Sequence, residues 1–341
     1  MSKIEMWQLT QRQGLPLDIK IKLTKRRIEE FYKSFNGKVY ISYSGGKDSE
    51  VMLHLVKSCH SDIKIVFVDT GTELDTRKHA IRKADIVLKP KIPMLQIWKK
   101  YGIPFPSKQQ ANFIYKVKHT KSDYLRNRLM TGIMKDGSKT MFKISEKWKC
   151  IIDSDIEVSD RCCYYLKKEP FLRYKKQTGE VPFIGTMASD GMERKKEYLQ
   201  NGCINFTKEV CHPLGFWTEQ DVLMYIKKFD LDYCGAYGDI IEVEGLLKTT
   251  KAKRTGCVGC GFGTHLEKEP NRFQRLEVDN PRLHNIILHK WVDGAMGKVL
   301  DLCNVNYNKP KVIQCTLSQN NKKEDGIPPT NELVGILPKR L

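Results

Sequence analysis

No run of 18 apolar residues occurs anywhere in this 341-residue sequence, and its first 25 residues are polar and charged rather than built around an apolar core. A membrane span, a secretory leader and a membrane partner are therefore not expected, and a cytosolic (cytoplasmic) location is. Acid is scarce as well. Forty Asp and Glu stand against 59 Lys and Arg, for a net charge of +19. Such an excess favours polyanionic partners (nucleotides, RNA or DNA), or else reflects a lysine-rich solvated surface. Internal repeats are absent, and so is the GxxxxGK[ST] phosphate loop. What is plentiful is cysteine. Eleven residues without a secretion signal read as reduced thiols, ligands or catalytic groups rather than as a disulfide framework.

Hydrophobic and charged contents of 40% and 29% are ordinary for a globular chain long enough to bury an α/β core. Residues 22–34 read as an amphipathic helix, and Val39–Tyr43 as a short strand running into a glycine loop. Residues 49–57 then place Val51, Met52, Leu55 and Val56 on one helical face, and residues 63–68 form a second strand ending at Asp69-Thr70-Gly71. Strand, loop, helix, strand is one βαβ unit, which implies a parallel sheet. Further strands are expected at 86–88 and 183–185, and a helix over 218–229 with Thr218 as its N-cap. The expected fold is α/β, a doubly wound parallel sheet with a smaller, mainly helical, Cys-containing C-terminal region. The expected divisions are an N-terminal helical segment (1–37), a nucleotide-binding domain (38–240) with a basic insert (107–150), a CxxC-containing region (241–315) and a polar tail (316–341).

The loop Ser44-Gly45-Gly46-Lys47-Asp48-Ser49 has the chemistry of a phosphate cradle. Its glycines let backbone N–H groups turn toward an anion, and the helix that follows offers free N–H groups and a favourable dipole. Lys47 adds a point charge, and Asp48 can orient Mg²⁺ or its water shell. The pattern resembles the PP-loop of the ATP pyrophosphatase superfamily, which splits ATP between the α- and β-phosphates. Asp69, Thr70 and Gly71, with Glu73 beyond, end the next strand at the sheet edge where ligands bind, or they simply cap a helix.

Cys162 and Cys163 are adjacent, and Cys257-Val-Gly-Cys260 follows after 93 intervening residues. Thiolates are soft ligands, suited to an iron–sulfur cluster or to zinc. A vicinal pair is awkward around one tetrahedral zinc but workable on two irons of a cubane. Arg161-Cys-Cys-Tyr-Tyr-Leu-Lys-Lys-Glu-Pro170, Gly185-Thr-Met-Ala-Ser-Asp-Gly-Met-Glu-Arg194, Pro213-Leu-Gly-Phe-Trp217 and Cys257–Cys260 occur in that order. Together with the loop, this series resembles the phosphoadenosine phosphosulfate (PAPS) reductase family over roughly residues 38–263. The resemblance implies a [4Fe-4S] cluster on Cys162, Cys163, Cys257 and Cys260, and a place for Arg194 near the nucleotide phosphates.

The sequence departs from that family's reductases in two ways. Their loop is usually degraded, whereas this one keeps the full Ser-Gly-Gly-Lys-Asp-Ser form. Their catalytic cysteine lies in a Glu-Cys-Gly-[Ile/Leu]-His motif that is missing here; Cys303 sits in Leu-Cys-Asn and Cys315 in Gln-Cys-Thr. An intact ATP grip beside a cluster resembles members that adenylate an oxygen and then replace it with sulfur, such as DNA phosphorothioation enzymes and tRNA thiolases. The ATP sulfurylase small subunit shares the loop but lacks the cysteines. The expectation is therefore an ATP-dependent adenylating sulfur transferase with Lys47, Asp48 and Arg194 as catalytic residues. It would draw on a sulfur or electron donor. The alternatives are a sulfonucleotide reductase acting on APS or PAPS and a non-catalytic nucleic-acid-binding protein.

The insert carries eleven Lys and Arg against three Asp and Glu, with Phe113, Tyr115, Tyr124 and Trp148 interleaved. Lys116, Lys118, Lys121, Arg126 and Arg128 read either as a track for a tRNA or DNA acceptor or as a solvated or disordered lid. Lys248, Lys251, Lys253 and Arg254, ahead of the CxxC, face either a nucleotide phosphate or a nucleic acid.

Overall fold

A computed structural model describes residues 3–308. Cys315 and the expected polar tail at 316–341 lie outside the described residues. Six strands form the main sheet: β1 (Val39–Tyr43), β2 (Ile65–Val68), β3 (Ile86–Leu88), β4 (Val181–Ile184), β5 (Ile204–Asn205) and β6 (Val210–Cys211). Their order is β3-β2-β1-β4-β6-β5, with every pairing parallel except β5 with β6. The central strand β1 pairs Ile41 with Ile65 on one side and with Phe183 on the other.

Alternation along the strands explains why both faces are covered. Val39, Ile41 and Tyr43 of β1, with Ile65 and Phe67 of β2 and Phe183 of β4, face one hydrophobic core. The helices Leu17–Ser34 and Lys47–Cys59 fill it, the first through Ile28 and Phe31, the second through Val51, Met52, Leu55 and Val56. Tyr40 and Val66 point the other way, against Tyr174 and Phe171 of the helix Glu169–Thr178. Each of these large apolar side chains contributes about 1.5–3 kcal/mol by leaving water. The sheet is thus doubly wound, as the βαβ unit at 39–68 requires.

A second core lies apart from the sheet. It joins Trp98, Ile114, Val117, Leu129, Trp148 and Cys162 to Phe273, Ile287, Met296 and Leu300. Two stretches of the basic insert are therefore helices: Lys108–His119 and Asp123–Thr131 are each N-capped by a serine hydroxyl, Ser107 and Ser122. Of the alternatives for the insert, these helices set aside a disordered segment. Short helices with one or two buried turns show little periodicity in the sequence, although they are anchored firmly.

Residues 219–229 form the expected helix, with Thr218 and Asp221 in a reciprocal capping box. A small antiparallel hairpin, β7 (Ile240–Val243) and β8 (Leu246–Thr249), then turns through Glu244 and Gly245, both at positive φ. Among the described residues no helix is long and apolar enough to cross a membrane.

Candidate functional site

β1 delivers the chain to the carboxyl edge of the sheet, where the Ser44–Ser49 loop turns into the helix Lys47–Cys59. Gly45 has φ +74°, and a Cβ there would sit 2.9 Å from the Thr76 carbonyl oxygen, so only glycine fits. The Ser49 hydroxyl donates to the Gly46 carbonyl at 2.8 Å and accepts from the Ser44 N–H at 3.3 Å, which fixes the loop. Gly185, at the end of β4, lets a second backbone approach; an added Cβ would lie 3.1 Å from the Asp48 carbonyl oxygen.

The loop opens onto a cleft of about 280 Å³. Ser44, Gly46, Lys47, Asp48 and Ser49 form one wall, and Gly185, Thr186, Asp190 and Arg194 another. Tyr237, Arg254 and Thr255 close a third side, with Glu73 and Lys167 at the remaining edge. Lys47 is buried; its ammonium donates to the Lys253 carbonyl at 2.8 Å and lies 3.2 Å from Glu219 Oε1. Asp48 Oδ1 is buried with no hydrogen-bond partner. Burial, reinforced by Asp190 and Glu219 and opposed by Lys47 and Arg254, pushes its pKa up to about 6. A buried carboxylate oxygen without a donor is a group that a cation would satisfy.

Arg194 and Arg254 come from distant parts of the chain and share one carboxylate. Asp190 Oδ2 accepts from Arg194, and Asp190 Oδ1 accepts from Arg254 at 3.3 Å. The shared acid holds two guanidinium groups at the rim of the cleft, opposite the loop. Of the four basic residues ahead of the CxxC, Arg254 is the one that lines the cleft.

Asp69, Thr70 and Gly71 are placed differently. Asp69 accepts two hydrogen bonds from Arg77, both at 2.7 Å, and one from the Gly71 N–H at 3.1 Å. Those bonds, those of Arg77 foremost, lower its pKa. None of the three is among the residues lining the cleft. Their turn braces the cysteine segment instead, since the Val258 N–H donates to the Thr72 carbonyl at 2.7 Å.

Cys162, Cys163, Cys257 and Cys260 line one small pocket together with Met94, Pro104, Leu166 and Lys167. The first pair sits on a short helix that widens into a π-turn at Tyr164–Lys168. The second pair is held by a turn in which Gly259 has φ +76°. A Cβ on Gly261 would come within 2.7 Å of the Pro104 carbonyl oxygen. Burial pushes the Cys162 thiol up to about 12 and raises the thiols of Cys257 and Cys260 above the ordinary value. The indole N–H of Trp98 is buried beside the Cys162 thiol without a formed hydrogen bond. Among the described residues, no three His, Cys, Asp or Glu side chains converge closely enough to hold a metal ion as they stand.

Lys167 lines both the cleft and the cysteine pocket. Its ammonium lies 2.6 Å from Glu73 Oε1. Burial works against its charge, but Glu73 and the neighbouring Cys257 hold its pKa above the ordinary lysine value. In sequence Lys167 is one lysine of a basic pair, and Glu73 is marked only by its place beyond the turn. Nothing in their spacing joins residues 94 positions apart.

The remaining expectations divide. Cys303 is buried in the second core with its Sγ 3.9 Å from Cys150 Sγ, away from the cleft lining. Lys118 does not track solvent anions, because it is committed to the Ser154 and Ile156 carbonyls at 2.8 and 2.9 Å. Trp148 is buried and Phe113 packs against the second core, which takes both out of an exposed stacking stripe. Lys116, Lys121 and Arg126 remain exposed.

The family described as phosphoadenosine phosphosulfate reductase domain matches residues 38–145 and 107–260. An uncharacterized protein of Methanocaldococcus jannaschii is 32% identical over 108 residues, covering 30% of this chain and only 26% of that relative. Two solved structures resemble the chain at 14% identity. A PAPS reductase from Candida auris, in a phosphate complex, covers 72% of this chain and 98% of its own, with a TM-score of 0.35. The U34-tRNA thiolase NcsA from Methanococcus maripaludis, with its [4Fe-4S] cluster, covers 84% and 80%, with a TM-score of 0.30.

Proposed function

Because this chain belongs to the phosphoadenosine phosphosulfate reductase domain family, we propose that it uses ATP to adenylate an acceptor oxygen and then exchanges that oxygen for sulfur. The observation that carries the reading is the junction at Lys167. One ammonium lines both the cleft of the intact Ser44–Ser49 loop and the pocket of the four cysteines.

In the first half-reaction an acceptor oxygen attacks the α-phosphorus of ATP, the bond from that phosphorus to the α,β-bridging oxygen breaks, and pyrophosphate leaves. The loop N–H groups, Lys47 and a magnesium ion on Asp48 would neutralise the charge developing on that leaving group. Lys47 has to exchange its contact with the Lys253 carbonyl for a phosphate oxygen. Arg194 and Arg254, oriented by Asp190, would hold the α-phosphate side. In the second half-reaction a hydrosulfide-level sulfur attacks the adenylated centre and AMP departs. The sum is acceptor–OH, ATP and HS⁻ going to acceptor–SH, AMP and pyrophosphate.

The donor set at the second pocket is four thiols with a spare indole N–H, which suits an iron–sulfur cluster; zinc is the alternative metal for the same thiols. Cys162, Cys163, Cys257 and Cys260 would hold a [4Fe-4S] cluster. When bound, such a group supplies a thiophilic, redox-active iron next to the cleft. Lys167 and the Trp98 N–H would stabilise the negative charge on its thiolate ligands.

The test is anaerobically purified protein given either ATP or PAPS, with tRNA and DNA supplied as acceptors, and pyrophosphate and sulfite both measured. Acceptor-dependent pyrophosphate from ATP supports the reading. Sulfite from PAPS with a thiol reductant overturns it in favour of a sulfonucleotide reductase.

A further inference from the structure

Between the helix Asp123–Thr131 and the buried Ile144, the chain folds into a hairpin that nothing in the cleft or the cysteine pocket uses. Gly132, at φ +81°, ends the helix. Ile133 and Lys139 form an antiparallel bridge, and the Thr140 N–H donates to the Gly132 carbonyl at 2.8 Å. Asp136 closes the tip by accepting from the Ser138 N–H and hydroxyl at 3.0 and 2.6 Å. The return is pinned too. The Ile144 N–H donates to the Leu129 carbonyl at 2.7 Å, and Gln110 clamps Lys143 and Ser145 at 3.0 and 2.9 Å.

This firmly held backbone presents Met141 at 93% exposure and Phe142 at 55%, with Ile133 also exposed. Holding such side chains in water brings the fold no stability. The charge around them is of one sign. Lys135, Lys139, Lys143 and Lys147 form no salt bridge among the described residues, whereas Asp136 is turned into its own loop and Glu146 pairs with Lys149 at 2.8 Å. Lys135 and Lys147 lie over the Tyr124 and Trp148 rings, at 5.1 and 4.8 Å from the centroids.

We infer that this hairpin engages a nucleic-acid strand, with the lysines on backbone phosphates and Phe142, flanked by Met141, against an unstacked base. Phosphates alone would need only the cations. An exposed aromatic and a methionine at the crest of the same element add the stacking or wedging group that bases accept. The inference deepens, and rests on, the acceptor side of the function proposed above.

Fluorescence anisotropy with labelled single-stranded and duplex DNA and RNA at two salt concentrations tests it, alongside pyrophosphate release from ATP. Met141→Ser with Phe142→Ala is expected to weaken binding about tenfold or more while leaving its salt dependence unchanged. Lys139→Gln with Lys143→Gln is expected to flatten that salt dependence. Met141, Phe142 and Lys139 are exposed and Lys143 is half-buried, so an unchanged melting temperature and unchanged ATP binding confirm intact folds. Wild-type-like binding by both variants overturns the inference while leaving the adenylation reading intact. Failure of the wild-type protein to bind any oligonucleotide, or hairpin-dependent binding only to anionic lipid vesicles, overturns it as well. Hairpin-dependent binding without acceptor-dependent pyrophosphate sinks the adenylation reading alone.

Discussion

The ammonium of Lys167 lies 2.6 Å from a carboxylate oxygen of Glu73, and this pair stands where the cleft of the Ser44–Ser49 loop meets the cysteine pocket. Lys167 follows Cys163 by one helical turn, and Glu73 follows the β2 turn whose Thr72 carbonyl anchors Val258 of the CxxC. One ion pair thus ties both cysteine pairs to the edge of the loop cleft. On the proposed reading, removing its cation would leave Glu73 facing the ATP phosphates without compensation. Lys167→Met is expected to weaken ATP binding about tenfold, or ~1.4 kcal/mol. Lys167→Arg should recover part of that loss, because the charge is kept while the reach differs. Calorimetric titration with ATP reads both. A structural role alone would lower the melting temperature of Lys167→Met and leave the affinity of the folded protein unchanged.

Asp48 sets function against stability. Burial lifts its pKa from the ordinary 3.8 to about 6. In the nucleotide-free protein this carboxylate is therefore easier to keep neutral than in the unfolded chain. The stability it confers is present in full below pH 3.8 and is lost as pH rises through about 6. Asp48→Asn removes that loss. The variant should melt about 2–4 °C higher than wild type above pH 6, and the gap should close as pH falls toward 4. On the proposed reading, in which Asp48 holds magnesium, the same change should cost on the order of 10²-fold or more in pyrophosphate release. Equal melting temperatures at pH 8 would refute the burial argument independently of activity.

These two residues also mark what the sequence could and could not reveal. The Ser44–Ser49 loop was legible because its glycines, the β-branched strand before it and the apolar spacing after it are all local signals. Thr218 was legible as a cap for the same reason. The second core was not, because its helices are short and take their partners from segments more than 100 residues away, as Trp148 and Met296 do. Asp69 illustrates the converse. Its place at the end of β2 suggests a ligand, yet Arg77, eight residues on, claims both of its oxygens. Position relative to the sheet could be inferred from pattern; the partner of a charged side chain could not.

Gly261 is a steric requirement of the cysteine turn rather than a flexible joint. A methyl group there would meet the Pro104 carbonyl at 2.7 Å and Met296 Sδ at 3.1 Å. Neither neighbour can withdraw easily, since Met296 is fully buried in the second core and Pro104 is backbone. Gly261→Ala is expected to cost about 1–3 kcal/mol by overpacking and to displace Cys260 from the pocket. Iron and sulfide analysis of anaerobically purified protein should then show reduced occupancy relative to wild type, comparable to Cys260→Ser. Full iron content in Gly261→Ala would show that the turn does not position Cys260. Zinc at the same level in both wild type and variant would show that the pocket takes a different metal.

Cys303 separates the two enzymatic readings most directly. A sulfonucleotide reductase attacks sulfur with a thiolate, which must be exposed and ionised near neutral pH. Cys303 is neither. Burial pushes its pKa up to about 12, with Cys150 at 3.9 Å adding to the rise. Its packing against Cys150 joins the Glu146–Ile151 turn to the end of the helix Ala295–Leu302. Cys303→Ala should therefore remove a small buried group, lowering stability by about 1 kcal/mol. Acceptor-dependent pyrophosphate formation by the folded variant should stay within about twofold of wild type. Sulfite release from PAPS that is present in wild type and abolished in Cys303→Ala would instead require this buried thiol to reach the substrate, and would replace adenylation with reduction as the chemistry of the cleft.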